Sequence, residues 1–488
     1  MVISKLKKIY LPPIQCAALG AACGFYLLFN LHMALIITVV LILLAALCLF
    51  RVLSSLDPMS RNLKILSSCA AALAFGVVLG VCAANAGKNE LKFGMAENKI
   101  TAIEGVMLED PRIVSSGSAM VSVSLRASTG SGMKVSSKGE VTVFFQQESA
   151  DKLKQFGRGT VVFAEGSFRS SQRGISFSAK SLHIVKRAGA LERMRTNIRL
   201  GLIKRFEKEK WGGLALALLL GVRDNLDNEF TAQYRNAGLS YILALSGMHL
   251  AIIAALISFL LRKPLGLNAC AVTGAVIIVL YCLLVGPMPS LNRSALMYVL
   301  GVLAVIGALP KKSISILSLS FLIQIVITPA AGNTLSFILS YAALLGILIT
   351  GKAFASIFTG KVPEFLLQPL SLSAGAFLAT AGICSFVFGM IAPLGIITGL
   401  AVVPITTIFM IGSIIWLVLD FLSISFILSF PLFIAYRSME IIASVAGNIP
   451  GITGNPALML AMSIIISIAI IVYDKRRRAY LYKLDPFL

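Results

Sequence analysis

Long apolar runs separated by short basic punctuation fill most of this chain. Three runs, near 14–30, 33–50 and 64–86, each have the roughly 17–25 residues that a tilted helix needs to cross a bilayer. Nine more follow near 238–261, 268–286, 293–309, 313–328, 334–350, 366–391, 393–419, 423–447 and 456–473. Residues 88–187 follow another period. Alternating stretches at 100–107, 119–126, 139–145, 161–168 and 175–185 are parted by turns such as Thr129-Gly130-Ser131-Gly132 and Gly157-Arg158-Gly159. Period-two alternation in about five short runs predicts strands of a small barrel or sandwich, of a length that suits an OB-fold. In a third pattern Leu191, Met194, Ile198, Leu202 and Phe206 recur at helical spacing, with Arg193, Arg195, Arg199, Lys204 and Arg205 on the other face. That pattern predicts a helix lying on the membrane surface.

The pattern divides the chain into N-terminal transmembrane helices (1–87), an OB-like β domain (88–187), amphipathic interfacial helices (188–236), a transmembrane helical module (237–475) and a tail (476–488). The fold class is a polytopic α-helical membrane protein with an inserted small all-β domain. Basic residues set the sides. Lys5, Lys7 and Lys8, then Arg51, Arg61 and Lys64, place the N-terminus in the cytoplasm and residues 88–187 outside. Arg262-Lys263, Lys311-Lys312, Lys352 with Lys361, and Lys475-Arg476-Arg477-Arg478 then fall on the cytoplasmic side, so nine crossings end inside. Gly20 with Gly24 and Gly76 with Gly80 give the small-xxx-small spacing that lets helices approach closely.

Composition sharpens this picture. Only 13% of residues are charged and 57% are hydrophobic, whereas a soluble domain carries about 25% charged residues. The net charge of +22 suggests anionic partners, either lipid headgroups or nucleic acid. The eight cysteines show no CxxC or Cys/His ligand spacing, and His32, His183 and His249 are scattered. Neither a disulfide framework nor a metal site is expected, and no cofactor. No GxxxxGK[ST] loop occurs, so the chain does not look like its own ATP motor.

Polar residues inside the apolar runs are the candidates for chemistry, because a polar side chain facing lipid is costly. Ser246 and His249 stand one helical turn apart in Gly238-Leu239-Ser240-Tyr241-Ile242-Leu243-Ala244-Leu245-Ser246-Gly247-Met248-His249. The competing reading is packing: Ser246 bonded back to its own helix and His249 paired with a neighbouring one. Gly286-Pro287-Met288-Pro289-Ser290-Leu291-Asn292-Arg293-Ser294 breaks one helix and starts another, and its freed backbone groups need protein or water partners. Arg293 there either snorkels to headgroups or lines a path for anions. Arg223 and Asp224 sit in a turn whose plainer role is a helix cap by Asp224 or Asp227, and Ser336 and Ser340 share one helix face. In the β domain, Phe145 with Lys152, Lys154, Arg158, Arg169 and Arg173 are candidates for gripping a single strand. Most of that domain's Phe residues read equally as core, and Phe144 and Phe145 must point to opposite faces.

These pieces resemble the ComEC family of competence channels. The resemblance rests on Gly221-Val222-Arg223-Asp224, the stretch from Gly238 to His249, Pro289-Ser290-Leu291-Asn292-Arg293 and residues 336–346, in the same domain order. Tyr241 stands where the family often has His, Ser294 where it has Ala, and Ser336 and Ile338 where it has Gly and Gln. The resemblance implies a channel in the bacterial inner membrane that carries single-stranded DNA into the cytoplasm during natural transformation. Ser246, His249, Tyr241, Arg293, Asn292, Ser290, Ser336, Ser340, Arg223 and Asp224 would line its path. A cytoplasmic helicase-type motor, an extracytoplasmic DNA-binding receptor and a separate nuclease are the implied partners, besides membrane lipids. Many family members carry a C-terminal metallo-β-lactamase-like domain. No His-x-His-x-Asp-His pattern occurs here, so no nuclease activity is expected of this chain. A small-solute transporter and an intramembrane enzyme using Ser246 and His249 are the alternatives.

Overall fold

The computed structural model describes residues 13–26, 61–88, 91–113, 117–171, 174–309, 312–449 and 451–484. The crossing expected near 33–50, the basic N-terminal residues and Arg173 lie outside the described residues.

Helices α1 (Pro13–Tyr26) and α2 (Arg61–Ala86) pack backbone to backbone. A methyl group on Gly20 would lie 2.1 Å from the Leu73 carbonyl oxygen, and one on Gly80 would lie 2.1 Å from that of Ala21. The glycine spacing read from sequence therefore sets a close crossing, as small-xxx-small pairs do. Phe25 of α1 and Ala83 and Ala84 of α2 share an apolar cluster with Phe321 and Phe337 of the helical module.

The β domain closes on itself. Its strands are β1 (Ala102–Met107), β2 (Arg112–Ile113), β3 (Ala119–Gly130), β4 (Met133–Ser136), β5 (Glu140–Phe145), β6 (Val161–Ser171) and β7 (Gly174–Lys186), with helix α3 (Gln147–Leu153) between β5 and β6. β1 pairs antiparallel with both β3 and β6. β3 pairs antiparallel with β5, β5 runs parallel to β7, and β7 returns antiparallel to β6. Five strands thus form a closed barrel, with β2 and β4 added along β3. Irregularities at Glu104/Gly105 and Glu165/Gly166 bend the strands where the barrel turns. Gly166 is required there, since a methyl group would sit 2.0 Å from the Ser178 carbonyl oxygen. Alternate residues fill the core: Ile103, Met107, Val121, Val143 and Phe177 are buried, and Leu153 of α3 joins them.

The rest is helical: α4 (Ala190–Phe206), α5 (Gly212–Leu220), α6 (Asn228–Asn236), α7 (Ser240–Leu243), α8 (Gly247–Val285), α9 (Pro289–Ile306), α10 (Ser313–Ile327), α11 (Pro329–Gly332), α12 (Leu335–Gly346), α13 (Lys352–Phe358), α14 (Glu364–Phe388), α15 (Gly395–Phe421), α16 (Phe426–Gly447) and α17 (Pro456–Leu484). A π-helical turn, Ile347–Gly351, joins α12 to α13, and the short strands β8 (Met390–Ile391) and β9 (Ile452–Thr453) pair with each other. Among the described residues, eight helices are long and apolar enough to cross a membrane. The chain is a multi-pass membrane protein with an inserted β domain.

α8 is two helices in one. Gly266 has φ 74°, and Pro264 precedes it. A methyl group on Gly274 would lie 3.7 Å from Ile257 Cγ2. Seventeen residues of straight helix span about 25 Å, so the chain reverses at Gly266 and its two arms pack side by side. The sequence expectation of two crossings near 238–261 and 268–286 holds for the second arm. It is corrected for the first. Leu239 and Ala244 leave helical geometry, Ser246 is extended (φ −132°, ψ 175°), and the arm starts at Gly247.

Candidate anion site within the membrane helices

The break before Gly247 changes the roles of Ser246 and His249. They are not two positions on one continuous helix. Ser246 is the N-cap, and its amide donates to Nδ1 of His249 at 3.0 Å. The Ser246 hydroxyl also lies 3.0 Å from that nitrogen. An Nδ1 that accepts from an amide carries no proton, so the ring proton sits on Nε2. That Nε2 is buried without a hydrogen-bond partner. The pair is a capping box with His in the place usually held by Glu or Gln. It is not a catalytic dyad with an orienting third group, because no carboxylate holds Nε2.

Arg293 faces the same helix end. It opens the second turn of α9, which Pro289 starts. The residue is 7% exposed, and its Nε and Nη1 have no partner. Its Nη2 donates to Ser294 Oγ at 3.3 Å and lies 3.2 Å from where a Gly247 methyl would be. The guanidinium carbon is 5.7 Å from the ring centre of Tyr341. A buried cation without a carboxylate therefore stands against the positive end of the first α8 arm. Both features favour an anion between them.

Further polar groups extend from this point. Ser290 and Ser340 hydroxyls are 2.9 Å apart. Gln324 Nε2 donates to the Pro289 carbonyl at 3.1 Å, and Tyr341 donates to Gln324 Oε1 at 3.0 Å. Ser320 lies 3.3 Å from the Tyr341 hydroxyl. Sequence reasoning missed Gln324, Tyr341 and Ser320. Gln324 is the lone amide of its helix, which is the signal that could have found it. Asn292 is half-buried beside Arg293, whereas Ser336 is exposed and Tyr241 is 44% exposed. The structure brings Ser246, His249, Arg293, Ser290 and Ser340 together and leaves Ser336 at the rim.

Arg223 and Asp224 occupy the turn between α5 and α6. Asp227, not Asp224, caps α6 by accepting from the Glu229 amide at 3.2 Å. Asp224 meets the β domain instead. Part of it reaches solvent, yet its enclosed position raises the carboxyl above its ordinary value, opposed by a bond from the Ile113 backbone and by Arg199, Arg112 and Lys154.

The freed backbone of the 286–289 break is satisfied from outside the helix. Pro289 has no amide to offer the Val285 carbonyl, and Arg199 Nη1 supplies that bond at 2.9 Å. Arg195 Nη1 donates to the Leu284 carbonyl at 3.1 Å. The same arginines hold Asp110 of the barrel: Arg199 Nη1 lies 2.7 Å from its Oδ2, and Arg195 Nη2 meets its Oδ1. Glu192 completes the cluster with Arg195 and Arg158. Burial lowers the Arg199 guanidinium below its ordinary value, and Asp110 opposes that shift. Two of the arginines expected on the headgroup face of α4 are thus turned inward. Leu191, Met194 and Ile198 are the exposed stripe.

On the barrel, Phe145 is 1% exposed and belongs to the core, which corrects its expected place on a binding face. Alternation along β5 turns Phe144 outward instead. Lys154 pairs with Asp151 at 2.9 Å and Arg158 with Glu192, while Lys152 and Arg169 are exposed.

The model of the family described as Competence protein matches residues 218–478. ComE operon protein 3 of Bacillus subtilis (strain 168) is 30% identical over 141 residues, 27% of this chain and 18% of that protein. A protein of Aquifex aeolicus (strain VF5) described as uncharacterized is 29% identical over 215 residues, 42% of this chain and 49% of that protein. The chain matches at most about half the length of these relatives. No solved structure matches it. The family match contains the whole polar cluster and leaves out the barrel.

Proposed function

The chain belongs to the competence protein family, and on that premise we propose that it forms an inner-membrane passage carrying single-stranded DNA into the cytoplasm during natural transformation. The observation that supports this most is Arg293, a buried guanidinium with two unpaired nitrogens at a helix N-terminus inside the membrane module. A phosphodiester oxygen can accept from either of them. Ser290, Ser340, Gln324 and Tyr341 supply exchangeable hydrogen bonds alongside, so a moving polyanion is handed on without a covalent step.

The site is closed in this arrangement, since His249 is fully buried. Passage requires the 286–289 break to move. That break is held by Arg195 and Arg199, which also hold the barrel, so the OB-like domain sits on the opening as its control. A cytoplasmic helicase-type motor, an extracytoplasmic DNA receptor and a separate nuclease complete the reading.

The test replaces the family member of a transformable host with this chain and measures uptake of labelled DNA at matched membrane levels. Loss of uptake on Arg293→Ala, with normal insertion, is expected. Undiminished uptake by that variant overturns the reading.

A further inference from the structure

Building on the DNA-passage reading, we propose that the cleft between the barrel and α4 is the place where the phosphodiester backbone of a single strand first docks. The cleft measures about 560 Å³ and is lined by Arg126 of β3, Lys186 and Arg187 at the end of β7, Arg193 of α4, and the backbone at Gly159 and Gly189. No acidic side chain lines it.

The four cations there converge on one hollow. Arg126, Lys186, Arg187 and Arg193 are exposed and make no ion pair among the described residues. Four other cations of the barrel are paired: Lys134 with Glu104, Lys154 with Asp151, Arg112 with Glu109 and Arg158 with Glu192. Four like charges around one hollow repel one another and raise the local potential, an arrangement that a chain of phosphates neutralises.

Two further features point the same way. Helix α4 opens at Gly189 with no side-chain cap, so its first amides lie at the cleft wall. Glu192, the acidic residue of that first turn, is already neutralised by Arg158 and Arg195. Arg187 stands 5.9 Å over the Phe156 ring, which holds the guanidinium in place by a cation–π contact.

The cleft does not face the bilayer. At 100° per residue, Arg193 lies roughly 130° around α4 from the centre of the exposed stripe formed by Leu191, Met194 and Ile198. The stripe is the side that enters a lipid interface, so a headgroup is the less favoured occupant. Farther along the same helix, Arg195 and Arg199 reach the carbonyls of Leu284 and Val285, just before the break that leads to Arg293. A strand docked in the cleft lies at the head of a basic track that ends at the buried guanidinium.

The experiment uses the full chain in phosphatidylcholine nanodiscs and follows a fluorescent oligothymidylate by anisotropy. Replacing Arg126, Lys186, Arg187 and Arg193 together by Ala is expected to weaken binding at least about tenfold, and to flatten the log–log salt dependence by about 0.7 for each phosphate contact removed. The comparison variant Lys99→Ala/Lys138→Ala/Lys180→Ala, at exposed cations of the barrel outside the cleft, is expected to stay within about twofold of the parent, since the cleft keeps its charges. Matched melting curves establish that both variants fold.

Equal binding by parent and fourfold variant overturns the proposal, as does a parent that binds no oligonucleotide at low salt. A variant that keeps oligonucleotide affinity but no longer gains stability from phosphatidylglycerol in the disc assigns the cleft to lipid and also overturns it. Failure of the passage reading looks different: cleft variants lose binding as expected, while uptake in cells is indifferent to Arg293→Ala.

Discussion

The Ser246 amide donates to Nδ1 of His249 at 3.0 Å, so the imidazole closes the first turn of α8 and presents its Nε2–H to the interior, with the Ile242 backbone its near neighbour. Two roles are combined in one ring, and two substitutions separate them. Gln at this position can restore the capping bond, as it does in ordinary capping boxes. His249→Gln is therefore expected to insert and melt like the parent while DNA uptake falls severalfold. His249→Ala also loses the cap, a loss of about 1 kcal/mol. Uptake by His249→Gln equal to the parent's assigns the ring to capping alone.

Arg293 carries a stability signature that a packing residue does not. Breaking a paired buried charge destabilises, but Arg293 has no carboxylate to abandon. Replacing a buried, unmatched ion by an apolar group of similar volume is neutral or stabilising. Arg293→Met is expected to raise or preserve the melting temperature in detergent while abolishing uptake. Arg293→Lys is expected to keep part of the uptake, because charge matters more than fork geometry for a polyanion that must leave again. A marked fall in melting temperature for Arg293→Met would show that the guanidinium holds the helices together.

Asp110 is the partner whose removal is most damaging. Arg195 and Arg199 both lean on it, and its side chain is 15% exposed. Asp110→Ala leaves two cations partly uncompensated and is expected to destabilise the barrel–helix contact by about 2–4 kcal/mol, below the fully buried range because solvent screens the site. Limited proteolysis in detergent reads this directly, with faster cleavage between the barrel and α4 in the variant. Unchanged protection would mean that the arginine bonds to Leu284 and Val285 suffice.

A short helix bears on the sides of the membrane. Arg195 of α4 reaches the end of α8, and ten residues later Arg205 pairs with Asp420 at the tip of the α15–α16 hairpin. Ten residues of helix span about 15 Å, half the hydrocarbon thickness of about 30 Å. The tip is therefore expected on the side of Val285, whereas counting crossings from the sequence puts the two on opposite sides. Cysteine placed at Ser423 is expected to label from outside together with one at Ser131, while one at Ser313 is spared. Labelling of Ser313 and Ser423 together, without Ser131, contradicts this arrangement.

Period alone made much of this molecule legible. The five alternating runs became the five barrel strands, because one buried face per strand fixes alternation. The glycine pairs in α1 and α2 fixed a contact, since only missing side chains allow two backbones so close. Breaks were harder to see. Residues 244–246 read as helix, because every side chain there is compatible with one and a His in place of the usual Glu or Gln hides the capping box that starts the helix at Gly247. Arg195 and Arg199 looked solvated, because nothing local announces that Pro289 leaves the Val285 carbonyl for them. Phe144 and Phe145 could be ranked only once the register with β3 was known.

The reversal at Gly266 has one more consequence. The arms on either side, 247–265 and 267–285, are equal in length, so both hang from one turn to the same depth of roughly 28 Å. Equality makes the hairpin a plumb line: it sets the Ser246 break and the Gly286 break level with each other. Inserting one residue in either arm would lower that end by about 1.5 Å and swing it through about 100°. The amides at Gly247 and the guanidinium of Arg293 would then part company, though every residue of the site was still present.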